Sequence, residues 1–346
     1  MDVFRQRRGR LVAMLTVVSA AALGLGACGS TSDSATTSSS SGAASTELNV
    51  VGFAVIKSAY DELGASFAKT PEGKGVTFKG SYGASGAQSR AVIAGQKADI
   101  VAFSLSPDLT NVADAGLVDP NWNAGPNKGI VSDSVVVIAV RKGNPKGIKG
   151  WADLVKPGVG IVTADPGTSG SAKWNLLAAY TQALGATKDE AAAKTYLGGF
   201  IKNVVSWNDS GRTATDAFVK GTGDALISYE NEAIAARAAG VQLDYIVPEA
   251  TLLIENPAAV TKTAPPQAAT FLKFVASADG QKILAGNGFR PVDPSVTATD
   301  VKGANDPANP FPKVATLTTI SDLGGWSAVN KKFFDKATGL VTELRK

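Results

Sequence analysis

The chain has 346 residues, 44% of them hydrophobic and 18% charged, a profile that excludes a disordered polymer and leaves room for two ordinary domains around a sizeable core. Its formal charge of +4 sits almost entirely at the start, where residues 1–27 hold Arg5, Arg7, Arg8 and Arg10 against Asp2; the balanced remainder gives no case for a nucleic-acid-binding surface. There is no histidine and only one cysteine, Cys28, which removes Ser-His-Asp and Cys-His catalysis, imidazole-ligated metals and any intrachain disulfide.

In chain order, the first element is a leader. "RQRRGR" is a positive n-region, and the apolar run that follows is too short and too rich in Ala and Gly for a stable membrane span. Residues 1–27 therefore read as a signal peptide, with small residues before the break. Leu25-Gly26-Ala27-Cys28 resembles the lipobox of bacterial lipoproteins, which implies cleavage before Cys28 and a diacylglyceryl group on its sulfur. The alternative is a free thiol in an ordinary secretory or membrane-anchor segment. Residues 28–46, nearly all Ser, Thr, Ala and Gly, cannot bury enough apolar surface to order themselves and read as a lipid-anchored tether. Anchor, tether and body in that order place the folded body outside the cytoplasmic membrane.

The body alternates strand and helix. "ELNVVGF" (47–53) reads as a strand and residues 57–69 as a helix with Tyr60, Leu63 and Phe67 on one face. Then come a strand at 75–83, a helix at 85–96 with Ser85 as its N-cap, and strands at 98–104 and 131–143. A second unit follows: strands at 158–166, 204–211 and 224–230, with helices at about 171–184, 188–202 and 213–221. Residues 242–248 and 251–261 lead back, two helices occupy 265–288, and residues 321–346 end helical. The pattern predicts an α/β fold with mixed sheets flanked by helices, in two lobes: 47–135 plus 255–346, and 136–254. In such folds ligands sit beyond the carboxyl ends of strands, near helix starts.

Four strand-to-helix turns share one chemistry: Gly52-Phe53-Ala54-Val55, Tyr82-Gly83-Ala84-Ser85-Gly86, Thr168-Ser169-Gly170-Ser171 and Asp209-Ser210-Gly211-Arg212-Thr213. A helix start leaves amide N–H groups unpaired, and its dipole favours an anion. Glycine admits close approach, and serine adds a hydroxyl donor. Any one turn is explained by ordinary capping. Together, if they meet in one cleft, they bind a compact dianion without a lysine.

Here a resemblance becomes specific. "YGASGAQSRAVIAGQKADIVAF", "VRKGNPKGIKGWADLVKPGV", "GSAKWNLLAAY", "FVKGTGDALISYENEA" and "GFRPVDPSV" resemble the sulfate-binding proteins of bacterial ABC importers, over residues 47–335. The resemblance implies a two-lobed, type II-like periplasmic-binding-protein fold with the ligand cleft between lobes. It implies a monomer that captures sulfate or thiosulfate and delivers it to ABC-type permease subunits, with no enzymatic activity, cofactor or metal. The implied sulfate contacts are Ser85, the turn Ser169, Gly170 and Ser171, an amide at Gly211 or Arg212, Tyr229 where the family has a donating Trp, and Ala54 where the family has an Asp that offers its amide. Three of these positions depart from the family pattern: the first loop has a shifted register, the 209–213 loop is shorter, and a phenol replaces an indole.

Fully ionised sulfate needs donors alone, whereas a phosphate that keeps a proton also tolerates an acceptor. Asp165 and Asp209 are expected to be solvated or to cap turns, and Trp174 to be core. Glu230 and Glu232 either pair with Arg or Lys or are solvated. Lys173 and Arg90 are expected to add positive potential from a distance. The rival readings are a binder of molybdate, tungstate or phosphate, a carboxylate-dependent surface enzyme, and a structural or signalling lipoprotein that keeps the fold without transport.

Overall fold

The computed structural model of the chain describes residues 45–346. The expected signal peptide, Cys28 and the tether up to residue 44 lie outside the described residues; of the expected tether, Ser45 and Thr46 are described, and Thr46 already begins a strand. The chain runs β1 (Thr46–Phe53), α1 (Lys57–Phe67), β2 (Val76–Gly83), α2 (Ser85–Ile93), β3 (Ile100–Ala102), α3 (Ser106–Asp114) and the long β4 (Ile130–Arg141). Next come β5 (Ile161–Ala164), α4 (Gly170–Thr187), α5 (Glu190–Lys202), β6 (Val204–Asn208), α6 (Gly211–Val219), β7 (Ala225–Tyr229), α7 (Glu230–Ala238) and β8 (Leu243–Ile246). The chain closes with a second long strand β9 (Ala250–Val260), α8 (Pro266–Ala276), α9 (Ala278–Gly286), the short β10 (Thr316–Thr318), α10 (Gly325–Val329) and α11 (Leu340–Leu344).

Burial explains the sequence pattern of these elements. Val135 to Val140 of β4 are all buried, so that strand does not alternate: helices cover both its faces. The edge strand β2 exposes much of its length and carries Lys79. The expected face of α1 is real. Tyr60 and Phe67 meet Phe271 of α8 edge-on, at 6.1 and 5.4 Å between ring centroids. Each such pair adds about 0.5–1.5 kcal/mol beyond its buried area.

The strand order is β2-β1-β3-β9-β4-β7-β5-β6, with β10 beside β9 and β8 beside β4. Strands β1, β2 and β3 are mutually parallel, as are β5, β6 and β7, so each group ends its strands on one side. The long antiparallel strands β4 and β9 join the two groups. Strand β4 pairs with β9 up to Val135, opposite Leu253, and with β7 from Val136, opposite Tyr229. The C-terminal segment reaches back onto α4 and α5: Trp326 packs edge-on against Trp174 with centroids 4.9 Å apart, and Lys332 pairs with Glu190 at 2.6 Å.

Candidate functional site

All four predicted turns close on one narrow, tightly closed pocket. Its walls are Phe53, Ala54 and Val55 after β1; Gly83, Ala84 and Ser85 after β2; Ser169, Gly170 and Ser171 after β5; and Ser210 and Gly211 after β6. Ser104, between β3 and α3, supplies a fifth wall. The parallel strands explain the convergence, because their carboxyl ends face one way and the following helices start there. No carboxylate lines the cavity among the described residues.

The start of α4 is built to leave donors free. Ser169 stands at the N-cap, is buried, and makes no capping bond. The amides of Gly170 and Ser171 have no hydrogen-bond partner among the described residues. Gly170 is required here by space: a Cβ on it would lie 2.6 Å from Ser104 Oγ. At α6 the chemistry divides differently. Ser210 Oγ accepts from the Thr213 amide at 3.1 Å and the Thr213 hydroxyl accepts from the Ser210 amide at 2.9 Å, a reciprocal cap. That leaves the Gly211 and Arg212 amides at the helix start, and Gly211 is the one on the cavity wall.

Ser85 is the first helical residue of α2 rather than its N-cap, which is Ala84. Its hydroxyl is engaged sideways: Oγ lies 2.6 Å from Asp108 Oδ2 and accepts from the Ser104 amide at 3.0 Å. Ser104 is the hub of the site. Its Oγ shares a hydrogen bond with the Tyr229 hydroxyl at 2.6 Å, and its carbonyl accepts from the Trp174 indole at 3.0 Å. Trp174 is core, as expected, and also fixes this loop.

The structure brings Ala54, Ser85, Ser169, Gly170, Ser171 and Gly211 to one cavity; Tyr229 and Arg212 are not among the residues that line it. Tyr229 is fully buried, its hydroxyl held by Ser104, and burial pushes its pKa up, so it stays a neutral phenol. The Arg212 amide, the expected donor, keeps no partner among the described residues, while its side chain forks onto Glu232, with 2.6 Å from Nη2 to Oε1, and Thr215 donates to the same carboxylate at 2.9 Å. Glu230 is likewise buried and pairs with Arg290 at 2.7 Å, so both glutamates are paired rather than solvated.

The aspartates flanking the turns play local roles. Asp165 accepts from the Gly167 amide at 2.7 Å and pairs with Arg345 at 2.5 Å, contacts that together hold its pKa below the usual range against its desolvation. Asp209 is exposed, and its carbonyl accepts from the Thr168 hydroxyl at 3.0 Å. Sequence reasoning missed Ser104 and Asp108. The available signal is the serine that ends the strand in "ADIVAFS"; the short helix after it carries too few apolar residues to mark a fifth turn.

Residues 48–290 match the family described as bacterial extracellular solute-binding protein. The chain belongs to that family. As a solute-binding protein it is 39% identical over 333 residues to the sulfate-binding protein of Synechococcus elongatus, covering 92% of this chain and 91% of that one. It is 35% identical to the thiosulfate-binding protein of Pseudomonas aeruginosa, covering 82% of this chain and 88% of that one. Among solved structures, the sulfate-binding protein SubI from Mycobacterium tuberculosis superimposes with a TM-score of 0.79 at 43% identity, over 84% of this chain and all of that one. This solute-binding protein has the two-lobed α/β fold expected from its sequence. These relatives are binding proteins, not enzymes, and place the family outside the cytoplasm. Among the described residues no helix is long and apolar enough to cross a membrane.

Proposed function

We propose that this protein captures sulfate, with thiosulfate as a second ligand, in the cavity at the starts of α2, α4 and α6, and delivers it as a monomer to the permease of an ABC importer. The observation that carries the reading is a buried wall of donors with no carboxylate among them: the Ser169 hydroxyl and the amides of Gly170, Ser171 and Gly211. Neutral dipoles in an enclosed, low-dielectric site act strongly on a dianion that can only accept. Ser85 adds a hydroxyl and the 53–55 turn adds backbone around Ala54. Tyr229 is a supporting residue through Ser104, and the Arg212 side chain supports the site by fixing α6 against Glu232.

The donors divide between two lobes, residues 47–135 with 255–346 and residues 136–254, and the change of partner along β4 at Val135 and Val136 supports that division. The C-terminal segment crosses between lobes to reach α4 and α5. Closure is then a hinge motion of β4 and β9. Cys28 carries the lipid that tethers the protein to the membrane. Calorimetric titration with sulfate, thiosulfate, phosphate and molybdate tests the ligand. Sulfate or thiosulfate is expected to bind most tightly at neutral pH, and a tighter phosphate or molybdate complex overturns the assignment.

A further inference from the structure

Closing a cleft takes polar groups on both sides out of water, so each needs a partner in the closed form. Here one side is β1–β3 with α1–α3, and the other is β5–β7 with α4–α7. Among the described residues, every hydrogen bond that runs directly between these two sides ends on one residue, Ser104. Tyr229, at the end of β7, meets Ser104 Oγ through its hydroxyl at 2.6 Å. Trp174, on α4, donates its indole N–H to the Ser104 carbonyl at 3.0 Å, with Ser104 Oγ at 3.2 Å.

We infer that Ser104 is the latch of the closed cleft: Tyr229 and Trp174 grip it from the opposite side, hold the lobes shut around the anion and set how slowly the anion leaves. The inference rests on the sulfate reading and the hinge closure above. It makes Ser104 and Tyr229 positioning residues, which act on closure rather than on the oxygens of the anion.

Both halves of the latch are fixed on their own sides. The Ser104 amide donates to Ser85 Oγ at 3.0 Å, and Asn256 of β9 donates to the Ser104 carbonyl at 3.3 Å. Opposite, Trp174 packs edge-on against Trp326, and Tyr229 lies in the ladder facing Val136 of β4. Ser104, Trp174 and Tyr229 are all buried. Gly170, which has no Cβ to meet Ser104 Oγ, lets α4 come this near. When the lobes part, water takes over these hydrogen bonds, so each neutral bond shifts the closing equilibrium by only about two- to tenfold. The anion enters before any of them exists and leaves only after they break. The latch therefore acts on dissociation and not on association. Since it joins lobe to lobe, it slows every ligand that closes the cleft by the same factor.

The test is stopped-flow tryptophan fluorescence with sulfate and with thiosulfate, on the wild type, Tyr229→Phe, Ser104→Ala and the double variant. Tyr229→Phe removes one oxygen and keeps the ring beside Phe53, whose centroid is 6.3 Å away. Each single variant should speed sulfate dissociation by about two- to tenfold and leave the association rate within about twofold. Thiosulfate dissociation should change by the same factor. The double variant should be no faster than the quicker single one, because either substitution breaks the same bond. Ser104→Ala decides alone if Tyr229→Phe does not fold. Unchanged dissociation rates overturn the inference. So do additive effects in the double variant or unequal factors for the two anions, which would make these hydroxyls direct ligand contacts. The sulfate reading stands in each of those cases. No binding of either anion by the wild type overturns the reading itself, and the inference with it.

Discussion

Ser169 and Ser210 both stand at N-cap positions before a glycine, yet only Ser210 uses its oxygen on its own helix. The difference separates capping from binding by experiment. Ser210→Ala should lower unfolding free energy by about 1 kcal/mol in urea denaturation, the usual cost of a lost cap. Ser169→Ala removes no bond from the protein and should leave the urea midpoint unchanged. It should weaken sulfate by about 1.5–3 kcal/mol, the range for a hydrogen bond to a charged group, read as a ten- to hundredfold change by calorimetry. Equal effects of the two substitutions on stability would place Ser169 among ordinary caps.

At the scale of elements, the starts of α4 and α6 are pressed into the site by glycine. A Cβ on Gly170 would meet Ser104 Oγ at 2.6 Å, and one on Gly211 would meet Ser171 Oγ at 2.7 Å. Gly170→Ala should therefore cost about 1–3 kcal/mol where the two walls close. Small-angle scattering checks this: saturating sulfate should contract the wild type and contract the alanine variant less. The elements also show where sequence reading falls short. Helix α3 has Pro107 in its first turn and a short apolar set, Leu109, Val112 and Ala113, too brief for a period to stand out. Helix α7 starts directly at Glu230, with no loop after β7, so "DALISYE" reads as strand to its end.

For the molecule as a whole, the strands β4 and β9 carry a carboxylate pair. Asp133 faces Glu255 in the ladder, its Oδ1 enclosed without a partner among the described residues. Burial and the neighbouring Glu255 push Asp133 up to about 7, only partly offset by Arg290, whose guanidinium is committed to Glu230. A carboxyl raised on folding is more protonated in the folded state between its unfolded and folded pKa. Its contribution to stability is thus whole below about pH 4 and is lost as pH rises toward 7. Asp133→Asn should be more stable than the wild type at pH 8 by about 2–4 kcal/mol, and the advantage should shrink on acidification toward pH 4. Urea denaturation of both proteins across that range checks it; a difference independent of pH would show that Asp133 is not titrating there.

The sequence by itself determined the α/β alternation, the one-sided face of α1 and the serine-glycine grammar of the turns, because each is written in neighbouring residues through periodicity or local backbone demands. It also carried enough of the family's motif string to imply Ser85, Ser169, Gly170, Ser171, Gly211 and Ala54, all of which line one cavity. Only tertiary structure decided which donors are free. Whether a hydroxyl faces a ligand, a helix amide or a buried carboxylate depends on partners far along the chain: Asp108 for Ser85, Ser104 for Tyr229, Glu232 for Arg212. A hydroxyl has a single proton, and where that proton goes is set by contacts that no local pattern records.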